Sequence, residues 1–292
     1  MQGPVASLLG AGECLHLHHG PIDLIIGADG CSLRARKQAF EAAVARFQTL
    51  LDDLVVDLVQ HRRQLFPDTP MPRDPVARRM YQAALPFCGQ EFVTPMIAVA
   101  GAVADEVLAA VLAAGPLDRA YVNNGGDIGV HLSGDATYRV AMAGADGADL
   151  GRISFGAADG IGGVATSGAK GRSHSLGIAD SVTVLAKTAA KADAAATLIA
   201  NAVDLPGHPG IERQPANCLQ PDSDLQDRLV VTGVPQLTLA EGAAALAAGR
   251  DKASVMLDAG LIDGAALFLQ GQNATVGRCF HRTQNNAELA DV

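Results

Sequence analysis

The chain of 292 residues has no tryptophan, three tyrosines and eight phenylalanines, so it offers no aromatic platform on which nucleic-acid bases could stack. Positive charge is scarce too: 22 Lys and Arg stand against 31 Asp and Glu, a formal net charge of −9. Phosphate-backbone binding needs clustered Lys and Arg, so nucleic acid is not expected as a partner. The five cysteines, Cys14, Cys31, Cys88, Cys218 and Cys279, form no CxxC pair and no even set. That argues against a disulfide framework and a zinc site, and they read as buried thiols. No apolar run approaches the roughly twenty residues of a membrane span. The N-terminus, MQGPVASLLGAGECLHLHHG, lacks the basic stretch ahead of an apolar one that marks a secretory signal. The expectation is a cytoplasmic protein with no membrane partner. Both nucleotide fingerprints are missing: there is no GxxxxGK[ST], and no strand leads into GxGxxG.

What the chain does have is small apolar residues. Hydrophobic residues make up 49% of it, enough at this length for a packed core; with Ala, Val and Leu dominant, close backbone approach takes the place of large rings. The stretch Ser181 to Val203, SVTVLAKTAAKADAAATLIANAV, concentrates this character. Val182, Val184 and Leu185 with β-branched Thr183 predict a strand. From Ala189 to Val203 no Gly or Pro interrupts an alanine-rich run, which predicts a helix. Asp193 sits among its small residues, and Thr197 follows four positions later on the same helical face. A carboxylate and a hydroxyl so placed can hold a hard cation such as Mg²⁺. The same carboxylate can equally be a solvated first-turn group favoured by the helix dipole, and spacing alone leaves both readings open.

Taken in order, Cys14 to His18 and Ile22 to Gly27 read as a pair of strands. His16, His18 and His19 show no acidic partner nearby, so a metal site there is not expected. Phe40, Val44, Phe47, Leu50, Leu51, Leu54, Val55 and Leu58 recur at helical spacing and predict a long amphipathic helix within Leu33 to Leu65, broken near Asp52, with Arg36, Lys37 and Arg46 on its wet side. Phe66 to Pro75 holds four prolines and is a loop; a short helix follows from Val76 to Ala84. Thr94 as N-cap, Pro95 at the first position and Gly115-Pro116 as a stop predict a second small-residue helix. Gly101 inside it costs about 1 kcal/mol against alanine, so close approach of a backbone or a ligand is expected there. Leu117 to Val122 then runs as a strand into NNGGDIGVHL. Gly125-Gly126 there reads as a hairpin turn or as an anion-binding nest. Further strands are expected over Tyr138 to Met142, Gly151 to Phe155 and Gly162 to Thr166. The segment ATSGAKGRSHSLG follows; its Lys170 and Arg172 could meet a phosphate or simply decorate a loop. Beyond the central strand and helix come an extended excursion from Leu205 to Asp227, a strand over Leu229 to Val234, and a Thr238/Glu241 capping box opening a helix that ends at Gly249. A last strand covers Gly264 to Gly271. The layout reads as one domain of two related halves, roughly 1–116 and 117–280, with a loose tail over 281–292.

Three pieces in this order resemble the ApbE family of flavin-binding, Mg²⁺-dependent proteins, whose best-known members move FMN from FAD onto a Ser or Thr. Asn123 to Ile128, NNGGDI, is similar to the family's N-x-G-G-[DN]-I turn. SVTVLAKTAAKADAAAT, ending at Thr197, is similar to its S-V-T-V strand and A-D-A-x-A-T helix. Gly101 to Asp105 is similar to its G-x-A-x-D helix segment. The resemblance covers roughly residues 90–203. It implies an α+β fold of the tunnelling type, with antiparallel sheets, packed helices and a nucleotide cleft between two similar halves. It also implies Mg²⁺ held by Asp193, the Thr197 hydroxyl and a backbone carbonyl near Ile97. FAD or FMN would then lie beside Thr94, Gly125, Gly126, Asp127, Ser167 and Gly168, with Lys170, Arg172 or His174 as donor to the phosphates. The chain departs from the family at Thr94 and Ala100, where the family carries an Asp and a Lys or Glu, and Gly171 to Gly177 replaces its H-x-x-D-P-x-T-G loop.

The resulting expectation is a Mg²⁺-dependent enzyme acting at the pyrophosphate of a dinucleotide. The alternatives are a non-catalytic flavin or pterin binder and an oligomeric scaffold on the same fold. A homodimer is compatible with the alanine-rich helices.

Overall fold

Alternation sets the first hairpin. Leu15 and Leu17, then Ile22, Leu24 and Ile26, are buried, while His16, Asp23 and Ile25 between them are only half-buried. These coordinates come from a computed structural model that describes residues 3–30, 32–89, 91–144, 147–171 and 173–281.

The chain opens with strands β1 (Val5–Leu9), β2 (Cys14–His19) and β3 (Ile22–Asp29), then helices α1 (Leu33–Val55), α2 (Leu58–His61), α3 (Pro75–Ala84) and α4 (Val99–Ala113). Strands β4 (Arg119–Asn124), β5 (Asp127–Leu132), β6 (Thr137–Ala143), β7 (Asp149–Gly156), β8 (Gly163–Ser167) and β9 (Ser181–Ala186) follow, then α5 (Ala189–Ala202). The remainder is β10 (Glu212–Pro215), α6 (Ala216–Leu219), β11 (Leu229–Gly233), α7 (Leu239–Asp258), β12 (Gly264–Leu269), β13 (Gln272–Gly277) and β14 (Phe280–His281).

One sheet runs β1-β2-β3-β4-β5-β8-β9-β12-β13 with every neighbouring pair antiparallel. Its order contains one unit twice, a hairpin, two principal helices and a second hairpin: β2, β3, α1, α4, β4, β5, and then β8, β9, α5, α7, β12, β13. The first unit closes with β5 at Leu132. Because neighbours alternate in direction, the β2–β3, β4–β5, β8–β9 and β12–β13 connections all emerge at the same end of the sheet.

The helices cover one face, with α4 on β4 and β5, α5 on β8 and β9, and α7 on β12 and β13. On the other face lies the three-stranded sheet β14-β7-β6, whose Met142, Ile153 and Phe155 pack against Val130, Val164 and Leu185. The α+β architecture of antiparallel sheets and packed helices is therefore the one expected.

Several local expectations give way. The expected break near Asp52 falls slightly later, after Val55, and the helix restarts at Leu58 but ends at His61, short of Leu65. Gly249 ends nothing: α7 runs through it, because a Cβ there would lie 2.3 Å from Val203 Cγ2 and 2.7 Å from Leu267 Cδ2, and glycine lets the helix settle onto the layer below. Among the described residues Cys88 is a buried thiol, whereas Cys14 and Cys279 are half-buried and Cys218 is exposed; Cys31 lies outside the described residues. His16 does have an acidic partner, Asp23 on the paired strand at 3.1 Å. The expected tail falls almost wholly outside the described residues.

The 19 residues Pro95–Ala113 are also long and apolar enough to cross a membrane by length and composition, with mean hydropathy 2.0 over an 18-residue window, contrary to the expectation that no such run exists. It packs against α1, α3 and α5. Its Glu106 takes Arg46 Nε at 2.9 Å and Arg79 Nε at 3.1 Å, tying three helices together.

Candidate functional site

The central contact is between the first turns of α4 and α5, and residue size decides it. A Cβ on Gly101 would lie 2.4 Å from the carbonyl oxygen of Ala189 and 2.6 Å from the amide nitrogen of Ala190, so only glycine lets the helices meet here. The meeting brings each helix's orphan amides to a carboxylate of the other. Asp105 on α4 accepts from Ala189 N and Ala190 N, both at 2.9 Å. Asp193 on α5 accepts from Gly101 N at 3.0 Å. Each acid stands four residues past the glycine or alanine at the contact, so the two helices cap one another. Burial raises the Asp105 carboxyl above its usual range, and the two amides hold it partly back. The Asp193 carboxyl is pushed well up, first by burial and then by the charge of Asp127, against the opposing pull of the Gly101 and Ala100 amides.

Asp127 comes from the β4–β5 hairpin. Its two-residue turn needs Gly125 at φ 66° and Gly126 at φ 114°, which a Cβ disfavours. Gly126 N is committed to Asn123 Oδ1 at 2.8 Å, so the turn is a hairpin first and has one amide fewer for an anion nest. Asn124 Nδ2 donates to Ala100 O at 3.1 Å and fastens the turn to the start of α4.

A cleft of about 830 Å³ opens at this end of the sheet. Asn123 to Ile128 form one side; Thr166, Ser167, Gly168, Lys170 and Ser173 form another, next to Asp180 at the foot of β9. Apolar walls come from Leu54 and Leu58 on α1 and α2, Met96 on the turn just ahead of α4, Val99 at its start, and Met142 and Ile153 of the small sheet. Among the described residues lining it, none is aromatic. Lys170 Nζ is paired with Asp180 Oδ1 at 3.0 Å, and the other Asp180 oxygen accepts from Gln270 N at 2.7 Å. Thr197 Oγ1 reaches Ser167 Oγ at 3.5 Å, joining α5 to the cleft wall.

Of the residues singled out from sequence, Gly125, Gly126, Asp127, Ser167, Gly168 and Lys170 line this one cleft, with Asp193 beside Asp127 and Thr197 beside Ser167. Three are placed elsewhere. Thr94 is buried and makes no side-chain cap, its hydroxyl donating instead to Asp224. Ile97 lies on a 3₁₀ turn, Pro95–Ala98, ahead of α4, and its neighbours Met96 and Val99 form the wall. His174 is half-buried and off the cleft lining. Arg172 lies outside the described residues. Sequence reasoning missed Asp180 and Arg62, both of which line the cleft; neither belongs to a local pattern, since each is placed by partners distant in the chain. Among the described residues no group of three His, Cys, Asp or Glu side chains is arranged to hold a metal by itself, so a cation here would need hydroxyl, carbonyl, water or phosphate oxygens as well.

The sequence model of a protein family described as AbpE bacteria matches residues 6–275. A UPF0280 protein of Methanopyrus kandleri is 44% identical over 128 residues, 43% of this chain and 48% of that protein. One from Methanothrix thermoacetophila is 39% identical over 130 residues, 44% of this chain and 52% of that protein. The chain thus spans about half the length of these curated relatives. The crystal structure of the ApbE protein of Thermotoga maritima aligns over 93% of this chain and 96% of that one, at 11% identity and a TM-score of 0.47.

Proposed function

Because the chain belongs to the ApbE-like family described as AbpE bacteria, we propose that it binds a flavin or another nucleotide with Mg²⁺ in the cleft and acts at the pyrophosphate of a dinucleotide such as FAD. The observation that carries the reading is Asp193, a carboxylate held where burial and the neighbouring Asp127 both penalise its charge. A divalent cation between the two acids would remove both penalties. The donor set suits a hard ion: the Asp127 and Asp193 carboxylates and the Thr197 and Ser167 hydroxyls are all oxygen, with no thiol or imidazole among them. Asp193, Asp127 and Thr197 would hold Mg²⁺, which when bound supplies charge neutralisation on phosphate oxygens.

The chain's own residues do the rest. The amides of Gly101 and Ala100 orient Asp193, and Lys170, steadied by Asp180, presents a cation on the wall. Leu54, Met96, Val99 and Met142 keep the body of the ligand from water.

One observation favours the second reading, a binder without turnover. Lys170 is already ion-paired and His174 stands off the wall, so neither of these two expected donors is poised as a general acid. Incubation of the protein with FAD and Mg²⁺, followed by chromatography, separates the cases. Release of FMN and AMP supports the enzyme, and FAD retained intact at one per chain supports the binder. Finding neither product nor retained FAD would overturn the flavin reading.

A further inference from the structure

Arg62 is a second cation on the cleft wall, and the metal and pyrophosphate reading leaves it without a task. It ends α2, beside Leu58 and Val55. Its Nη2 donates to Asp222 Oδ2 at 2.7 Å, across 160 residues of chain, and Gln220 Nε2 holds the other Asp222 oxygen at 3.2 Å. The Arg62 side chain is 31% exposed and that of Asp222 60% exposed. A pair this solvated binds weakly, and a guanidinium fork accepts a carboxylate or phosphate from solvent equally well.

Its position complements that of Lys170. The α1 helix that leads into α2 packs on β2 and β3, whereas Lys170 follows β8. In the sheet β3 and β8 are separated by β4 and β5, three spacings or about 14 Å. The wall that the two cations share carries apolar side chains, Leu54, Leu58, Met96, Val99, Met142 and Ile153, as well as the polar turn Asn123 to Asp127.

We propose that Arg62 is a specificity-determining residue. The cleft selects a ligand with an apolar part, one anionic group toward Lys170, and a second, carboxylate or phosphate, that takes the place of Asp222 on Arg62. This rests on the proposed function only in treating the cleft as a ligand site.

The test uses two fluorescent probes of similar body, anionic 8-anilinonaphthalene-1-sulfonate and neutral N-phenyl-1-naphthylamine, titrated into the full chain, Arg62→Ala, Asp222→Asn and Lys170→Ala, with FAD titrated in parallel. Arg62→Ala should weaken the sulfonate probe about tenfold, the loss of one charge-assisted contact, and Asp222→Asn should tighten it. The neutral probe should be unmoved by either. A merely structural ion pair would shift both variants in the same direction, and that outcome overturns the proposal. It is also overturned if the sulfonate probe does not bind, or if only Lys170→Ala weakens it. The predicted pattern without FAD binding supports the role of Arg62 and counts against the flavin reading alone. Tight FAD binding with an unresponsive Arg62→Ala does the reverse.

Discussion

Changing Gly101 to alanine adds one methyl where two helices leave no room for it. The new Cβ would lie 2.4 Å from Ala189 O, 2.5 Å from Ala189 C and 2.6 Å from Ala190 N. All three are backbone atoms, which cannot swing aside as a side chain does. Restoring ordinary contact needs a separation of about 1 Å between α4 and α5. The bonds from Gly101 N to Asp193 at 3.0 Å, and from Ala189 N and Ala190 N to Asp105 at 2.9 Å, would then pass beyond hydrogen-bonding distance. Overpacking costs about 1–3 kcal/mol, and three lost bonds cost about 1 kcal/mol each. Alanine returns about 1 kcal/mol of helix propensity. The net loss is about 3–5 kcal/mol, a fall in Tm on the order of 10 °C for a chain of this size. Urea and thermal unfolding followed by circular dichroism measure it. A Gly101→Ala protein as stable as its parent, or more so, would refute the close-contact reasoning.

Asp105→Ala should lower stability by about 2–4 kcal/mol, since it strands two buried amides of α5, and Asp105→Asn should cost less because one carbonyl oxygen remains; urea midpoints of the two variants give the order. Asp193 supplies a pH signature. Its carboxyl is raised in the folded protein by burial and by Asp127, so the folded state keeps a proton that the unfolded state has lost, and stability falls as pH climbs from the ordinary carboxylate range through the raised pKa. His61, whose pKa burial lowers, pulls the other way near the ordinary histidine range. The readout is therefore a difference: the parent should lose Tm relative to Asp193→Asn as pH rises, and parallel curves for the two proteins would count against the buried acid.

The fold was legible where the deciding interaction is local. Ser181 to Val203 is a strand and then a helix because β-branched residues and alanines have opposite preferences. NNGGDI makes a hairpin because only glycine takes those turn torsions. Gly101 announced a close contact because a mid-helix glycine needs a reason. Legibility ended where the partner is distant in sequence. Thr94 has the chemistry of an N-cap, yet Asp224 takes its hydroxyl. Gly249 looks locally like a helix end, and only Val203 and Leu267 show otherwise. Asp193 read as a lone acid because its counterpart Asp105 stands on another helix, and the capping between them exists only once the helices touch. Arg62 carries no local pattern, and its place on the cleft wall follows from α1, which leads into α2 and packs on β2 and β3.

Calorimetric titration of FAD into the parent protein and Asp193→Asn, each with excess Mg²⁺ and again with a chelator, tests the cation and nucleotide site most directly. Asparagine can still accept from Gly101 N, so the helix contact survives while the charge is removed. The cleft as described predicts that Mg²⁺ tightens FAD binding to the parent by about tenfold or more, one charge-assisted contact's worth, and does nothing for the variant. Equal FAD affinity with and without Mg²⁺ in the parent, or an undiminished Mg²⁺ effect in the variant, would contradict it.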